Sequence, residues 1–187
     1  MINRPILIRL ILQRPKPLKL VYFLIRNAPD IVDKVDEKGY TALLHSAKNG
    51  QVELVEHLLR HGASPDIRET STIFGDTASS WASYNGHIEC LDLLLRYGAN
   101  KDQQTINDGK TLLMWAYSQN HPDVFTLLVQ RGSCLRKRNR NGFSLCDNIR
   151  GNYKFIMDHH IRSLRQFLYR TFTWFPEEIV RHIMLFY

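Results

Sequence analysis

The chain has 187 residues, of which 44% are hydrophobic and 23% charged, and its formal net charge is +7. This composition is typical of one folded domain with a sizeable core and excludes a chain too polar to fold. Its three cysteines, Cys90, Cys134 and Cys146, lack framework spacing, which excludes a disulfide scaffold and favours a reducing compartment.

The N-terminal segment is apolar but short. Its apolar run at residues 6–12 is interrupted by Arg9 and followed by Pro15 and Pro17, so it is too short and too charged to span a membrane. It lacks a small-residue cleavage site, and no later window holds 18 uncharged apolar residues. We therefore expect a soluble, cytoplasmic protein with no signal peptide and no membrane partner.

We interpret the basic residues as spread along the chain, apart from the run RKRNR at residues 136–140. Such a run can be a nuclear address or a phosphate contact, but short basic runs are usually solvated loops. We therefore expect no nucleic-acid partner.

One sequence unit repeats through the middle of the chain. Gly39, Gly75, Gly109 and Gly142 each precede Thr or Ser by two residues, at intervals of 36, 34 and 33. A second series of glycines, at positions 62, 98 and 132, has the same intervals of 36 and 34 residues. This period is typical of stacked structural repeats.

Each unit predicts a pair of helices. In the first unit Thr41 can cap a short helix that runs to Asn49, and Gly50 breaks it. A second helix is predicted to start near Val52 and to end at Gly62, where a left-handed residue is tolerated. Neither helix alone can bury its apolar stripe, so the copies must stack.

These units resemble the ankyrin repeat. DEKGYTALLHSAKNGQVELVEHLLRHGASPD (residues 36–66) follows the family pattern closely, and residues 75–102 and 108–133 follow it in the same register. Residues 139–161 are a degenerate fourth copy, and residues 20–36 look like the second half of another unit. No unit has the family Pro after its Thr, and Leu44, Ser80 and Met114 replace the family His.

The resemblance implies an all-α ankyrin-repeat solenoid with a helical N-terminal cap and a C-terminal helical segment. We expect the cap in residues 1–36 and the repeats in residues 37–161. The four repeats would occupy residues 37–69, 70–105, 106–138 and 139–161, and residues 162–187 would form the C-terminal segment.

In the ankyrin family, hairpin fingers and first helices form a concave face that commonly holds a protein ligand. The resemblance therefore implies a protein partner on that face and no small-molecule substrate. We expect Tyr40, Phe74 and Tyr84 to be its aromatic anchors, because aromatic residues among polar neighbours are typical of interfaces. The matching finger positions are Glu37, Lys38, Tyr40, Ile73, Phe74, Asp76, Asn107, Asp108 and Lys110, and the helix positions are Lys48, Asn49, Tyr84, Asn85, Ser118 and Gln119.

His45, Trp81 and Trp115 share one repeat position. Large apolar side chains at helical spacing usually fill a core, so we expect the two tryptophans to be core residues; an aromatic binding box is the alternative.

We expect no enzyme, no cofactor and no metal. The sequence contains no nucleophile elbow, no phosphate-binding loop and no zinc-protease motif. Cys134, Cys146, His159 and His160 match no zinc-ligand spacing.

The tail departs from the repeat pattern. FPEEIVRHIMLFY (residues 175–187) resembles the opening of an F-box, as in the PRANC segment of poxvirus and intracellular-bacterial ankyrin proteins. In that family the tail docks on the linker of a cullin–RING ubiquitin ligase and the repeats hold the substrate. This implies a substrate-recruiting adaptor, in the host cytoplasm or nucleus, whose docking residues are Phe175, Pro176, Ile179, Val180 and Ile183.

Two other interpretations of the tail stay open. SLRQFLYR (residues 163–170) resembles the start of a SOCS box, although Leu168 stands where that box prefers Cys. Alternatively, the tail only caps the last repeat, and the chain is a plain ankyrin scaffold that binds or sequesters a protein.

Overall fold

A computed structural model describes residues 5–14, 17–69 and 76–171, which form ten α-helices and no strand. The predicted all-α architecture is confirmed. The helices are α1 (Ile6–Leu12), α2 (Leu18–Asn27), α3 (Ala42–Lys48), α4 (Val52–Arg60), α5 (Ala78–Asn85), α6 (Ile88–Arg96), α7 (Leu112–Ser118), α8 (Pro122–Gln130), α9 (Leu145–Asn148) and α10 (Asn152–Thr171).

The first helix of each of three units starts at a threonine cap. The hydroxyl oxygens of Thr41, Thr77 and Thr111 accept hydrogen bonds from backbone N–H groups three residues later, at 3.1, 3.4 and 3.3 Å. Each cap satisfies one of the free N–H groups at its helix start. The repeated cap places α3, α5 and α7 in equivalent registers.

The helices stack in two layers. Helix α3 packs on α5 and α5 on α7, while the second helices α4, α6 and α8 pack side by side. The space between the layers is filled by fully buried side chains, among them Leu43, Leu58, Leu91, Leu112 and Phe125. Burial of these apolar side chains supplies most of the folding free energy of such a stack.

The two ends of the stack differ from its middle. At the N-terminal end α1 packs on α3 and α2 packs on α4, and Leu7, Ile8 and Val21 are fully buried there. At the C-terminal end α9 has only four residues, and the 20-residue α10 packs on α8. No glycine or proline follows Ile161 until Pro176, so α10 continues without a break past the end of the predicted fourth repeat.

Candidate protein-binding surface

Three aromatic rings form a row on the first helices. Tyr84 lies between Trp81 and Trp115, with ring centroids 5.7 and 5.2 Å apart and both contacts edge-on, a favourable geometry for aromatic pairs. Trp115 is buried and Trp81 is half-buried, whereas Tyr84 keeps 37% of its surface exposed. We call these three residues the aromatic row.

A lysine covers the ring of each tryptophan. Lys48 Nζ lies 3.6 Å from the ring centroid of Trp81, and Lys110 Nζ lies 3.9 Å from that of Trp115. An ammonium group over an indole face is attracted by the negative face of the ring. The aromatic row is therefore flanked by two positive charges on half-buried side chains.

Two carboxylates hold the fingers beside this row. Asp36 accepts hydrogen bonds from the backbone N–H groups of Lys38 and Tyr40, at 2.9 and 3.0 Å, and lies 3.0 Å from His45 Nε2. Burial acts to raise the pKa of Asp36, but these hydrogen bonds outweigh it and hold the pKa below its usual range.

The second carboxylate, Asp108, belongs to the third hairpin finger, which contains Asn107, Asp108 and Lys110. It accepts from the Thr105 hydroxyl at 2.5 Å and from the Lys110 backbone N–H at 3.2 Å, and it pairs with Lys110 Nζ at 3.1 Å. Burial opposes ionisation here as well, but these interactions leave the pKa of Asp108 lowered. The pairing holds Lys110 where it covers Trp115.

Comparison with known families decides the class of the chain. A family model described as ankyrin repeats, in three copies, matches residues 10–105 and 62–139. The chain is an ankyrin-repeat protein. No curated protein matches it.

Ankyrin-repeat proteins are typically non-enzymatic scaffolds with protein partners, so this ankyrin stack is a protein–protein interaction module. Within the described residues, no helix has the length and apolar character needed to cross a membrane. In the same part of the chain, no group of His, Cys, Asp or Glu side chains is arranged to hold a metal ion. This applies also to the cysteines and histidines considered above.

Several predicted surface residues of the ankyrin stack are exposed. Tyr84 is one of them, and Asn85 is half-buried with its amide donating to the Lys48 carbonyl at 3.0 Å. The others that lie exposed are Glu37, Lys38, Asn49, Asn107, Ser118 and Gln119.

The prediction that Tyr40 is an exposed anchor is wrong. Tyr40 is only 6% exposed, and burial together with a hydrogen bond to the Glu69 side chain raises the pKa of its phenol. The ring lies 5.0 Å from that of His45 and within 5.3 Å of Lys48 Nζ. Glu69, at the start of the next finger, thus contacts the Tyr40 phenol although the two residues are far apart in sequence.

Asp76 is likewise buried and not a finger-tip residue, with 6% of its surface exposed. Its backbone carbonyl accepts from the Glu69 N–H at 3.0 Å, which closes the base of the second finger. Burial first, and then the nearby carboxylates Glu69 and Asp108, raise the pKa of Asp76 to about 7. Asp76 is thus a buried acid and not the exposed finger position that the sequence predicted.

Other predicted residues lie outside the part that the structure describes. Ile73 and Phe74 belong to the finger segment 70–75, and all five predicted ligase-docking residues lie beyond residue 171. Their proposed roles stay predictions.

The basic run at residues 136–140 is tied into the stack. Arg138 pairs with Asp147 at 2.6 Å and donates to the Gly142 carbonyl, while the Lys137 ammonium group donates to the Asp102 carbonyl. The Arg140 backbone N–H donates to the Asp108 carbonyl at 2.9 Å. These contacts favour a structural role for the run, whereas the sequence alone suggested a solvated loop.

The sequence favoured a core role for Trp81 and Trp115, with an aromatic binding box as the alternative. The core role is correct for Trp115, whereas one face of Trp81 supports Lys48. Their shared repeat position, on which that alternative rests, corresponds to a row of rings on adjacent first helices.

Proposed function

We propose that this ankyrin stack holds a protein ligand on the aromatic row and delivers it to a cullin–RING ubiquitin ligase through residues 175–187. The observation that carries the first half is the exposed Tyr84, which two tryptophan rings hold in place. A rigid aromatic side chain loses little conformational entropy on binding, so it makes an efficient interface anchor.

The charges around the row favour an acidic ligand segment. Lys110 already pairs with Asp108 within the stack, whereas Lys48 is positioned by the ring of Trp81, so little side-chain entropy remains to be lost when Lys48 meets a carboxylate. A ligand segment with an apolar or aromatic side chain beside an Asp or Glu fits this arrangement.

The support for the ligase half is the sequence of the tail. FPEEIV has the Pro and the two acidic residues that the sequence pattern of a helix start favours, followed by apolar residues at helical spacing, as at the opening of an F-box. The simpler alternative, a scaffold that only sequesters its ligand, rests on the family match, which ends at residue 139 and carries no ligase element.

The ligand surface is tested by quantitative affinity purification with Tyr84→Ala and its control Tyr97→Ala. Tyr97 is exposed to a similar extent, 42%, but lies at the end of α6. Loss of Tyr84 should cost about 1–2 kcal/mol, a five- to thirtyfold weaker Kd for the captured ligand. Equal Kd values for wild type and Tyr84→Ala would remove the aromatic row from the interface.

The ligase half is tested on one truncated protein that lacks residues 174–187. If the tail docks on a ligase, cullin and its linker should disappear from the purified complex while the ligand and the melting temperature are retained. If the tail is a structural cap, its removal should expose the last repeat and lower the melting temperature. Absence of any cullin component from the intact protein would leave the sequestering scaffold.

A further inference from the structure

Nearly all of the net charge lies at the N-terminal end. Residues 1–29 contain six basic residues and no acidic one, whereas residues 30–187 carry 19 basic and 18 acidic side chains. The basic residues are spread along the chain, but the net charge of +7 is concentrated in residues 1–29 because the acidic residues all lie after them. The six are Arg4, Arg9, Arg14, Lys16, Lys19 and Arg26.

The same end exposes apolar side chains. On α2 the side chains of Val21 and Ile25 are fully buried, while Leu20 and Phe23 are 46% and 62% exposed. Ile6 on α1 is 46% exposed. The outer repeat of a solenoid normally has a polar outer face, so this apolar surface indicates that something covers it.

The basic and apolar residues share one face of α2. Lys19, Phe23 and Arg26 follow one another at intervals of four and three residues, which places them on one side of a helix. Both basic side chains are exposed. Exposed Phe23 and Leu20 thus lie beside two cations, on the side of α2 opposite Val21 and Ile25.

Three kinds of partner can cover such a face, and their physical demands differ. A second copy would bring together two helix pairs whose own charged residues are all basic, and their repulsion opposes that contact even with Glu53 of α4 close to Tyr22. A nucleic acid would neutralise the cations but leave the aliphatic Leu20 and Ile6 without apolar contact. An anionic bilayer surface offers phosphate and carboxylate groups to the cations and acyl chains to the apolar residues.

We propose that the N-terminal helix pair α1–α2 binds the surface of an anionic phospholipid membrane, with Phe23 and Leu20 inserted at the headgroup level. This contact is peripheral and needs no spanning helix. It replaces the expectation of no membrane partner, which rested on the lack of a spanning segment. It is also independent of the ligand surface and of the ligase proposal.

The test is flotation of the full-length protein with vesicles of phosphatidylcholine, with and without phosphatidylserine. Binding is expected only with phosphatidylserine and should weaken as salt is added. Lys19→Gln with Arg26→Gln should weaken vesicle binding roughly thirtyfold, since each basic residue contributes about a fivefold factor. Leu20→Ser with Phe23→Ser should weaken it at least roughly tenfold.

Matched controls lie elsewhere on the surface. Arg150→Gln with Lys154→Gln removes two exposed cations, and Ile106→Ser with Phe155→Ser removes apolar side chains that are 53% and 66% exposed. Both control pairs should bind vesicles like wild type. A circular dichroism spectrum of each variant establishes that it is folded.

Four results would overturn the proposal. They are no flotation of the wild type, equal flotation with neutral vesicles, equal loss in the controls, and a dimer in sedimentation that Leu20→Ser with Phe23→Ser dissolves. Binding of duplex DNA or RNA that depends on Lys19 and Arg26, without vesicle binding, would assign the face to nucleic acid instead.

Discussion

His121 shows how closely single residues are fitted in the turns of this stack. Its imidazole lies against Gly86, where an added Cβ would stand 2.6 Å from Nδ1, and its Nε2 lies 2.9 Å from the carbonyl oxygen of Tyr84. Gly86 has a φ of +76°, in the left-handed region that glycine occupies without strain. The turn therefore excludes a side chain for two independent reasons.

The variants Gly86→Ala and Gly98→Ala separate the cost of backbone strain from the cost of the clash with His121. Gly98 also has a positive φ, +90°, but no atom of the described residues lies within 4 Å of its added Cβ. We expect Gly98→Ala to cost about 1 kcal/mol of unfolding free energy from backbone strain, and Gly86→Ala about 1–3 kcal/mol more from the clash. Chemical denaturation measures both, and equal losses would contradict the close packing of His121.

Asp76 predicts a pH dependence of stability. Its pKa is raised from 3.8 to about 7 by burial and by Glu69, so the folded protein favours the protonated acid. The stabilisation is complete below about pH 4 and is lost as the pH rises through 7. Between pH 4.5 and 7.5 the wild type should therefore lose unfolding free energy on the order of a few kcal/mol. The Asp76→Asn variant should not show this loss.

Denaturant titrations at several pH values measure this slope. Asp123→Asn, at the exposed start of α8, controls for the change in net charge. Asp36 and Asp108 have lowered pKa values, so their contributions disappear only as the pH falls below about 4, outside the chosen window. An unchanged slope in Asp76→Asn would assign the pH dependence to another group.

At the scale of elements, α10 closes the C-terminal end of the stack against α8. The ring of Tyr153 lies 4.9 Å from that of Phe125, and its hydroxyl donates to the Asn120 side-chain oxygen at 3.1 Å. Met157, one turn further along the helix, is 8% exposed. These two side chains anchor the first half of α10.

Met157→Ala and Phe155→Ala test this anchoring within one helix. Removing the buried Met157 should cost about 2–3 kcal/mol and increase amide hydrogen exchange along α10. Phe155 is 66% exposed, so its removal should change stability by less than about 0.5 kcal/mol. Equal exchange of α10 in both variants would show that it docks through other residues.

At the scale of the whole molecule, the stack is a one-dimensional array in which each helix pair contacts only its neighbours. The layers run α3–α5–α7 and α4–α6–α8, so α5 and α6 connect the two ends. A single pair of helices at either end cannot bury its apolar stripe alone. Damage in the middle should therefore spread to both ends.

Leu94→Ala in α6 tests that cooperativity. Leu94 is fully buried, and its truncation should cost about 3 kcal/mol. We expect faster amide exchange in α4 and α8 as well as in α6, because both end fragments lose their neighbour. Leu95→Ala, at a half-buried position next along the helix, should cost much less. Faster exchange confined to α5 and α6 would show that the ends fold independently.

The fold was largely predictable from the sequence. Thr41, Thr77 and Thr111 cap the first helices, Gly50 and Gly62 follow the ends of α3 and α4, and the leucines at helical spacing fill the core. Each of these features depends on residues that are close neighbours along the chain. The repeat multiplies such local signals, which is why the period alone predicted a stack.

The surface chemistry depended on the tertiary structure. Tyr40 was expected to be an exposed anchor, but Glu69, from the start of the following finger, hydrogen-bonds its phenol. Lys48 covers Trp81, which belongs to the next repeat. The sequence of residues 1–29 already contained the concentrated charge, but only the packing of α2 revealed that Phe23 lies outward beside it. Burial and pairing are set by whichever residues the stack brings together from neighbouring repeats, and local patterns carry no information about those distances.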